Sequence, residues 1–222
     1  MKDLGKSFSF AFKDPDWVPK FLIAALFMIL AIVGIGIFVI AGYMVIVTRR
    51  AMKGEDRGLP DWRDLGVMFV LGFKYCIVYL LYLLPMFILF IPLVALSAIT
   101  RAAGEAGIVE SLAVIYSFGM ILLVMPYSIA FTVIVPIINY RFAERGRIAD
   151  ALDISAVVRD FKANWQNTLV VALIAVGIQS LAGIGLVLLI VGVIFTIFYS
   201  YLVSAHMCGV LYRERKTTAE SA

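Results

Sequence analysis

The 222-residue chain is poor in charge, and poorer still in the side chains from which most catalytic sites are built. Asp, Glu, Lys and Arg make up 15% of it, against about 25% in ordinary soluble domains. With 63% hydrophobic residues and a mean hydropathy of +1.02, that scarcity excludes a soluble globule, a disordered tail and a coiled coil. One histidine is present, His206, inside an apolar run beside Met207 and Cys208. Cys76 is the second thiol, also in an apolar run. Neither stands at a metal-ligand or redox spacing, so both cysteines read as small packed hydrophobes and His206 as a hydrogen-bonded histidine between helices. Paired carboxylates, a phosphate loop, a zinc motif and a Ser–His–Asp set are all missing. The expectation is therefore a protein that is not an enzyme and needs no metal or cofactor. No N-terminal apolar core runs into a small-residue cleavage site, so no secretory signal is expected.

What the chain does have is grease in long uninterrupted runs. Phe21–Thr48, Tyr75–Thr100, Ser111–Tyr140 and Ala163–Tyr212 contain no Asp, Glu, Lys or Arg. About 20 apolar residues cross a bilayer core. The second and third runs suit one span each. The fourth is long enough for two, folding back at Gly183-Ile184-Gly185. The first is long for one span and short for two. Lys and Arg collect at the N-terminus, in Arg49–Arg63, in Arg141–Lys162 and after Tyr212, while Arg101–Glu110 holds one arginine. Cytoplasmic flanks are the cation-rich ones. All four basic segments share one side if the first run turns back at Gly34-Ile35-Gly36. Its arms, Phe21–Val33 and Ile37–Thr48, would then each reach about 18–20 Å. A single tilted helix with the N-terminus outside is the rival. The expected fold is all-α: a polytopic membrane protein with interfacial amphipathic helices, four full spans and one re-entrant hairpin, or alternatively five spans. Both termini would be cytoplasmic, in the inner or plasma membrane.

A weak internal repeat accompanies the runs. Asp3-Leu4-Gly5…Phe8…Phe12-Lys13 and Asp64-Leu65-Gly66…Phe69…Phe73-Lys74 share the spacing D-L-G-x-x-F-x-x-x-F-K, and Asp153-Ile154-Ser155…Phe161-Lys162 is a degenerate third copy. At 100° per residue the apolar positions of each copy fall on one face, as in a helix lying at the membrane surface. Three units follow: residues 1–50, 60–140 and 148–213, each an interfacial helix and a hairpin, the first hairpin short. Trp17, Trp62 and Trp165 stand where indoles prefer the interface.

Several short motifs then combine: Phe10-Ala11-Phe12-Lys13-Asp14-Pro15-Asp16-Trp17, Gly42-Tyr43, Arg49-Arg50, Gly54, Leu59-Pro60, Trp62, Asp150-Ala151-Leu152-Asp153 and Tyr201-Leu202-Val203-Ser204-Ala205-His206. As a set, over nearly the whole chain, they resemble the prokaryotic membrane family known as domain of unknown function 4013. The resemblance implies a multi-pass protein and assigns no activity or site residue.

The net charge of +4 flanks apolar runs, which points to anionic lipid headgroups rather than nucleic acid. Leu4, Phe8, Phe12, Leu65, Phe69, Phe73, Val158 and Phe161 are the expected inserting side chains. Lys6, Lys13, Arg49, Arg50, Arg141, Arg145 and Arg147 are the expected headgroup contacts. A protein partner is the other possible occupant of that face. Two further functions remain open. One is a small transporter or channel for an apolar or weakly polar solute, lined by Asn139, Gln179, Ser180 or His206 beside the helix prolines. The other is an accessory or assembly subunit of a membrane complex.

Overall fold

The computed structural model describes residues 4–55, 58–103, 107–182 and 189–220. Two 3-10 turns, Leu4–Phe8 and Ala11–Lys13, precede eight helices among the described residues: α1 (Trp17–Leu30), α2 (Ile35–Met52), α3 (Leu65–Ala103), α4 (Ile108–Arg145), α5 (Ile148–Leu152), α6 (Ile154–Ala163), α7 (Trp165–Ala182) and α8 (Leu189–Glu220). No strand occurs among the described residues. Among the described residues four segments are long and apolar enough to cross a membrane: Ile35–Met52, Leu65–Ile99, Glu110–Arg145 and Ile194–Thr217. The chain is an all-helical membrane protein.

The first apolar run does turn back. A 3-10 turn at Ala31–Val33 leads into Gly34, whose φ of 91° is left-handed and open to glycine at little cost. Gly36 then lets α2 pass against α1: a Cβ there would lie 2.5 Å from the Ala31 nitrogen. The arms extend further than the charge boundaries suggest, because Arg49 and Arg50 continue the last turn of α2. Arginine is a good helix former, and its charge complements the C-terminal end of the helix dipole. At 18 residues α2 measures about 27 Å, nearly the apolar thickness of a bilayer. The hairpin tip is apolar and open, with Ile32 86% and Val33 75% exposed.

The three repeat copies take three different local structures. The first is the pair of 3-10 turns, the second is the opening of the continuous helix α3, and the third is the separate helix α6. Their apolar residues also meet different surroundings. Leu4 is buried with Met207, Val210 and Leu211 of α8 rather than free to insert into lipid. Ser7 Oγ lies 2.9 Å from His206 Nδ1, and Phe10 stacks on the His206 ring at 4.3 Å. Phe8, Phe12, Leu65, Phe69, Phe73 and Val158 do remain exposed. Trp62 stacks on Tyr43 at 4.1 Å and on Phe27 at 5.3 Å. The turn expected at Gly183–Gly185 lies outside the described residues.

Two compact units emerge, residues 1–77 with 133–222, and residues 78–132. In the larger, α2 and α8 form the central pair. Thr48 Oγ1 donates to the Ala205 carbonyl at 2.9 Å, and Gly209 sits so close that a Cβ would come 2.6 Å from the Thr48 carbonyl. A polar clasp holds the N-terminal strip to the α2–α3 connection. Asp14 takes Lys20 Nζ at 2.8 Å and the Leu59 amide at 2.5 Å, Lys20 Nζ reaches Asp61 at 3.1 Å, and Trp62 Nε1 donates to the Lys20 carbonyl. Asp14, Leu59-Pro60 and Trp62, which contribute to the family resemblance, meet here. In the smaller unit, Pro85 and Pro92 interrupt the hydrogen bonding of α3. Tyr127 donates its hydroxyl to the Tyr82 carbonyl, and Tyr116 to the Leu89 carbonyl at 2.7 Å. Each acceptor lies in the turn before a proline, next to the carbonyl that has no amide donor there, Leu81 for Pro85 and Ile88 for Pro92. Neighbouring helices commonly satisfy backbone groups freed in this way.

Candidate functional site

Where α4 and α8 leave their apolar runs, matching spacings create a charged crevice. Arg141, Glu144 and Arg145 stand at i, i+3 and i+4 on α4, and Tyr212, Arg215 and Lys216 stand at the same intervals on α8. Each set falls on one helix face. Gly146, with φ of 69°, ends α4, its amide donating to the Phe142 carbonyl at 2.7 Å. The chain reverses there, and α5 brings Asp150 across the end of α4. Arg141 Nε donates to the Asp150 carbonyl at 3.0 Å. These seven side chains line a cavity of about 320 Å³. Tyr212 donates to Glu144 Oε1 at 3.0 Å across it.

Beneath the crevice lies Asp160, with its side chain 1% exposed. Helix α6 carries it inward on the same face as Ala156 and Val157. Asp153 caps that helix, its Oδ1 accepting the Ala156 amide at 3.0 Å. Hydrogen bonds from Ser155 and from the Ala156 amide hold the Asp153 carboxyl below its ordinary range. Asp160 accepts Arg141 Nη1 at 2.8 Å, Arg215 Nη2 at 2.9 Å and the Tyr140 hydroxyl at 3.1 Å. Such charge-assisted bonds are short and geometrically demanding. Arg141 and Arg215 are thereby fixed as walls. Arg145 and Lys216 make no hydrogen bond or ion pair among the described residues. Asp150 Oδ2 is buried without a partner among them.

The seven cations expected to meet headgroups divide accordingly. Arg141 and Arg145 come together in the crevice. Arg147 lies just beyond it and is exposed. Arg49 is half-buried, its Nε donating to the Ala143 carbonyl at 2.5 Å. Arg50 is half-buried near the end of α2, and Lys6 and Lys13 are exposed on the N-terminal turns. Sequence reasoning missed Glu144, Asp150, Asp160, Tyr212, Arg215 and Lys216. The paired i, i+3, i+4 spacings directly after two apolar runs were the available signal.

The polar residues considered for a solute path do not assemble around one space. Tyr75 donates to Asn139 Oδ1 at 2.7 Å, and Asn139 Nδ2 approaches Cys208 Sγ at 3.7 Å. His206 is buried against the N-terminal strip. Gln179 and Ser180 are exposed on α7. Among the described residues no three His, Cys, Asp or Glu side chains gather as a metal site.

Apolar helices of spanning length, ending in a cation-rich cluster, define a multi-pass helical membrane protein. The family model described as a protein of unknown function, DUF4013, matches residues 23–204, and the chain belongs to that family. No curated protein and no solved structure matches the chain.

Proposed function

We propose that this is a non-enzymatic protein of the inner or plasma membrane whose basic end lies on the cytoplasmic face and engages anionic lipid headgroups. One observation carries this reading: the cationic ends of α2, α4 and α8 lie together at one end of the larger unit. Arg49 reaches Ala143 of α4, Thr48 reaches Ala205 of α8, and Arg141 and Arg215 share Asp160. Leu4 packs with Val210 and Leu211 at that same end. The hairpin at Gly34 makes this possible, because α1 and α2 return the chain to the side from which it came. Cations gathered at one end belong to the cytoplasmic side, where each contributes about 1 kcal/mol on an anionic surface. The partner of this face is the bilayer itself.

Topology and lipid preference test the reading separately. Cysteines introduced as Lys53→Cys and Arg147→Cys should resist a membrane-impermeant maleimide in intact cells, whereas Gly107→Cys should react. The purified chain should partition into phosphatidylglycerol-rich vesicles in preference to phosphatidylcholine, and salt should weaken that preference. Labelling of Lys53→Cys from outside, or equal partitioning, would sink the proposal.

A further inference from the structure

The crevice is more selective than a basic surface needs to be. A site for a bare anion would be lined by donors alone, yet Glu144 and Asp150 form part of this wall. Their like charge penalises a dianion such as a phosphate monoester. Counting Asp160 beneath, Arg141, Arg145, Arg215 and Lys216 face three carboxylates, leaving a single net positive charge. The complementary ligand is a monoanion that also brings hydrogen-bond donors to the carboxylate side. Position narrows it further, because the crevice opens one residue past the apolar run of α4 and at the last residue of that of α8. In a bilayer, residues just past an apolar run meet the headgroup region.

We propose that the crevice is a specific site for a monoanionic phosphodiester whose second substituent carries hydroxyls, the chemistry of a phosphatidylglycerol headgroup. Arg145 and Lys216, the two cations without partners, take the phosphate oxygens. Arg141 and Arg215, held by Asp160, shape the floor. Glu144 and Asp150 accept the hydroxyls. A cavity of about 320 Å³ admits one headgroup, so binding saturates at one lipid per chain. This rests on the reading that the basic end meets headgroups, and refines it from a surface to a pocket.

The test uses the full chain in a neutral detergent, titrated with dioctanoyl phosphatidylglycerol. Saturable binding is expected, at least tenfold tighter than for phosphatidylmethanol, which has the same charge and no hydroxyl, or for phosphatidylcholine. The double variant Arg145→Gln/Lys216→Gln should weaken it at least tenfold. Arg147→Gln, just outside the crevice, should change it less than twofold. Deacylated glycerophosphoglycerol identifies the source of the headgroup: competition at equal concentration assigns the pocket to a soluble phosphodiester, and much weaker competition assigns it to lipid. Equal loss in Arg147→Gln and the double variant overturns the pocket while leaving the general lipid reading intact. No preference for phosphatidylglycerol over phosphatidylcholine overturns both. Equal affinity for phosphatidylmethanol refutes the role of the carboxylates.

Discussion

Replacing Asp160 with asparagine removes the one negative charge that two arginines share. The side chain keeps its shape but loses its charge, and one oxygen becomes an amide that faces a guanidinium. Arg141 is 15% exposed and Arg215 31% exposed, so water compensates the second better than the first. Breaking a buried ion pair by removing one partner costs about 3–5 kcal/mol. Partial hydration of Arg215 puts Asp160→Asn near the lower end, about 3 kcal/mol. The loss should fall on α6, which Asp160 ties to α4 and α8. Detergent-micelle unfolding followed by tryptophan fluorescence reads the global loss, because Trp165 begins α7 directly after α6. Limited trypsin digestion reads the local one: cleavage at Arg159 and Lys162 should accelerate. Asp61→Asn is the matched control. Asp61 also pairs with a lysine but is 54% exposed, and exposed pairs are worth about 0–1 kcal/mol. If the two variants lose the same stability, within about 0.5 kcal/mol, the reasoning from burial is wrong.

Glycines offer a second contrast: a Cβ on Gly42 would overlap the Met68 backbone and one on Gly72 the Phe38 backbone, whereas Gly177 meets nothing within 4 Å. Gly42→Ala and Gly72→Ala should each cost at least about 1–3 kcal/mol and Gly177→Ala should stabilise by up to about 1 kcal/mol, all measurable as shifts in the unfolding midpoint. The Asp14 clasp should respond to acid. Burial raises that carboxyl, but the Lys20 hydrogen bond, the Leu59 and Asp16 amides and the Lys20 charge outweigh it and hold it below 3.8. Its contribution is therefore complete above pH 4 and lost as pH falls through the depressed value, so the stability gap between wild type and Asp14→Asn should narrow below pH 4; a gap that widens there would contradict the sign. In the smaller unit, Tyr116→Phe and Tyr127→Phe each strip a donor from a carbonyl beside a proline. Each should destabilise the fold by about 1 kcal/mol, read as a lower unfolding midpoint, and amide exchange should quicken around Leu89 or Tyr82 respectively.

Composition alone settled the class of this molecule, because a chain with so little charge in runs this long has no aqueous fold available to it. The turn at Gly34 was partly legible: apolar length left one span or a hairpin open, the placement of lysine and arginine favoured a reversal, and a glycine pair stood at its centre. The fate of the repeated segments was not. Whether an apolar face such as Leu4, Phe10 and Ala11 meets lipid or protein depends on which helix lies beside it, and periodicity is blind to that. The charged crevice was hidden for the same reason. Arg141 and Arg215 are 74 residues apart in the chain, and only the packing of α4, α6 and α8 brings both onto Asp160. Local pattern is a property of neighbours in sequence, whereas a shared counterion is a property of neighbours in space, and the backbone path between them is decided by the tertiary structure.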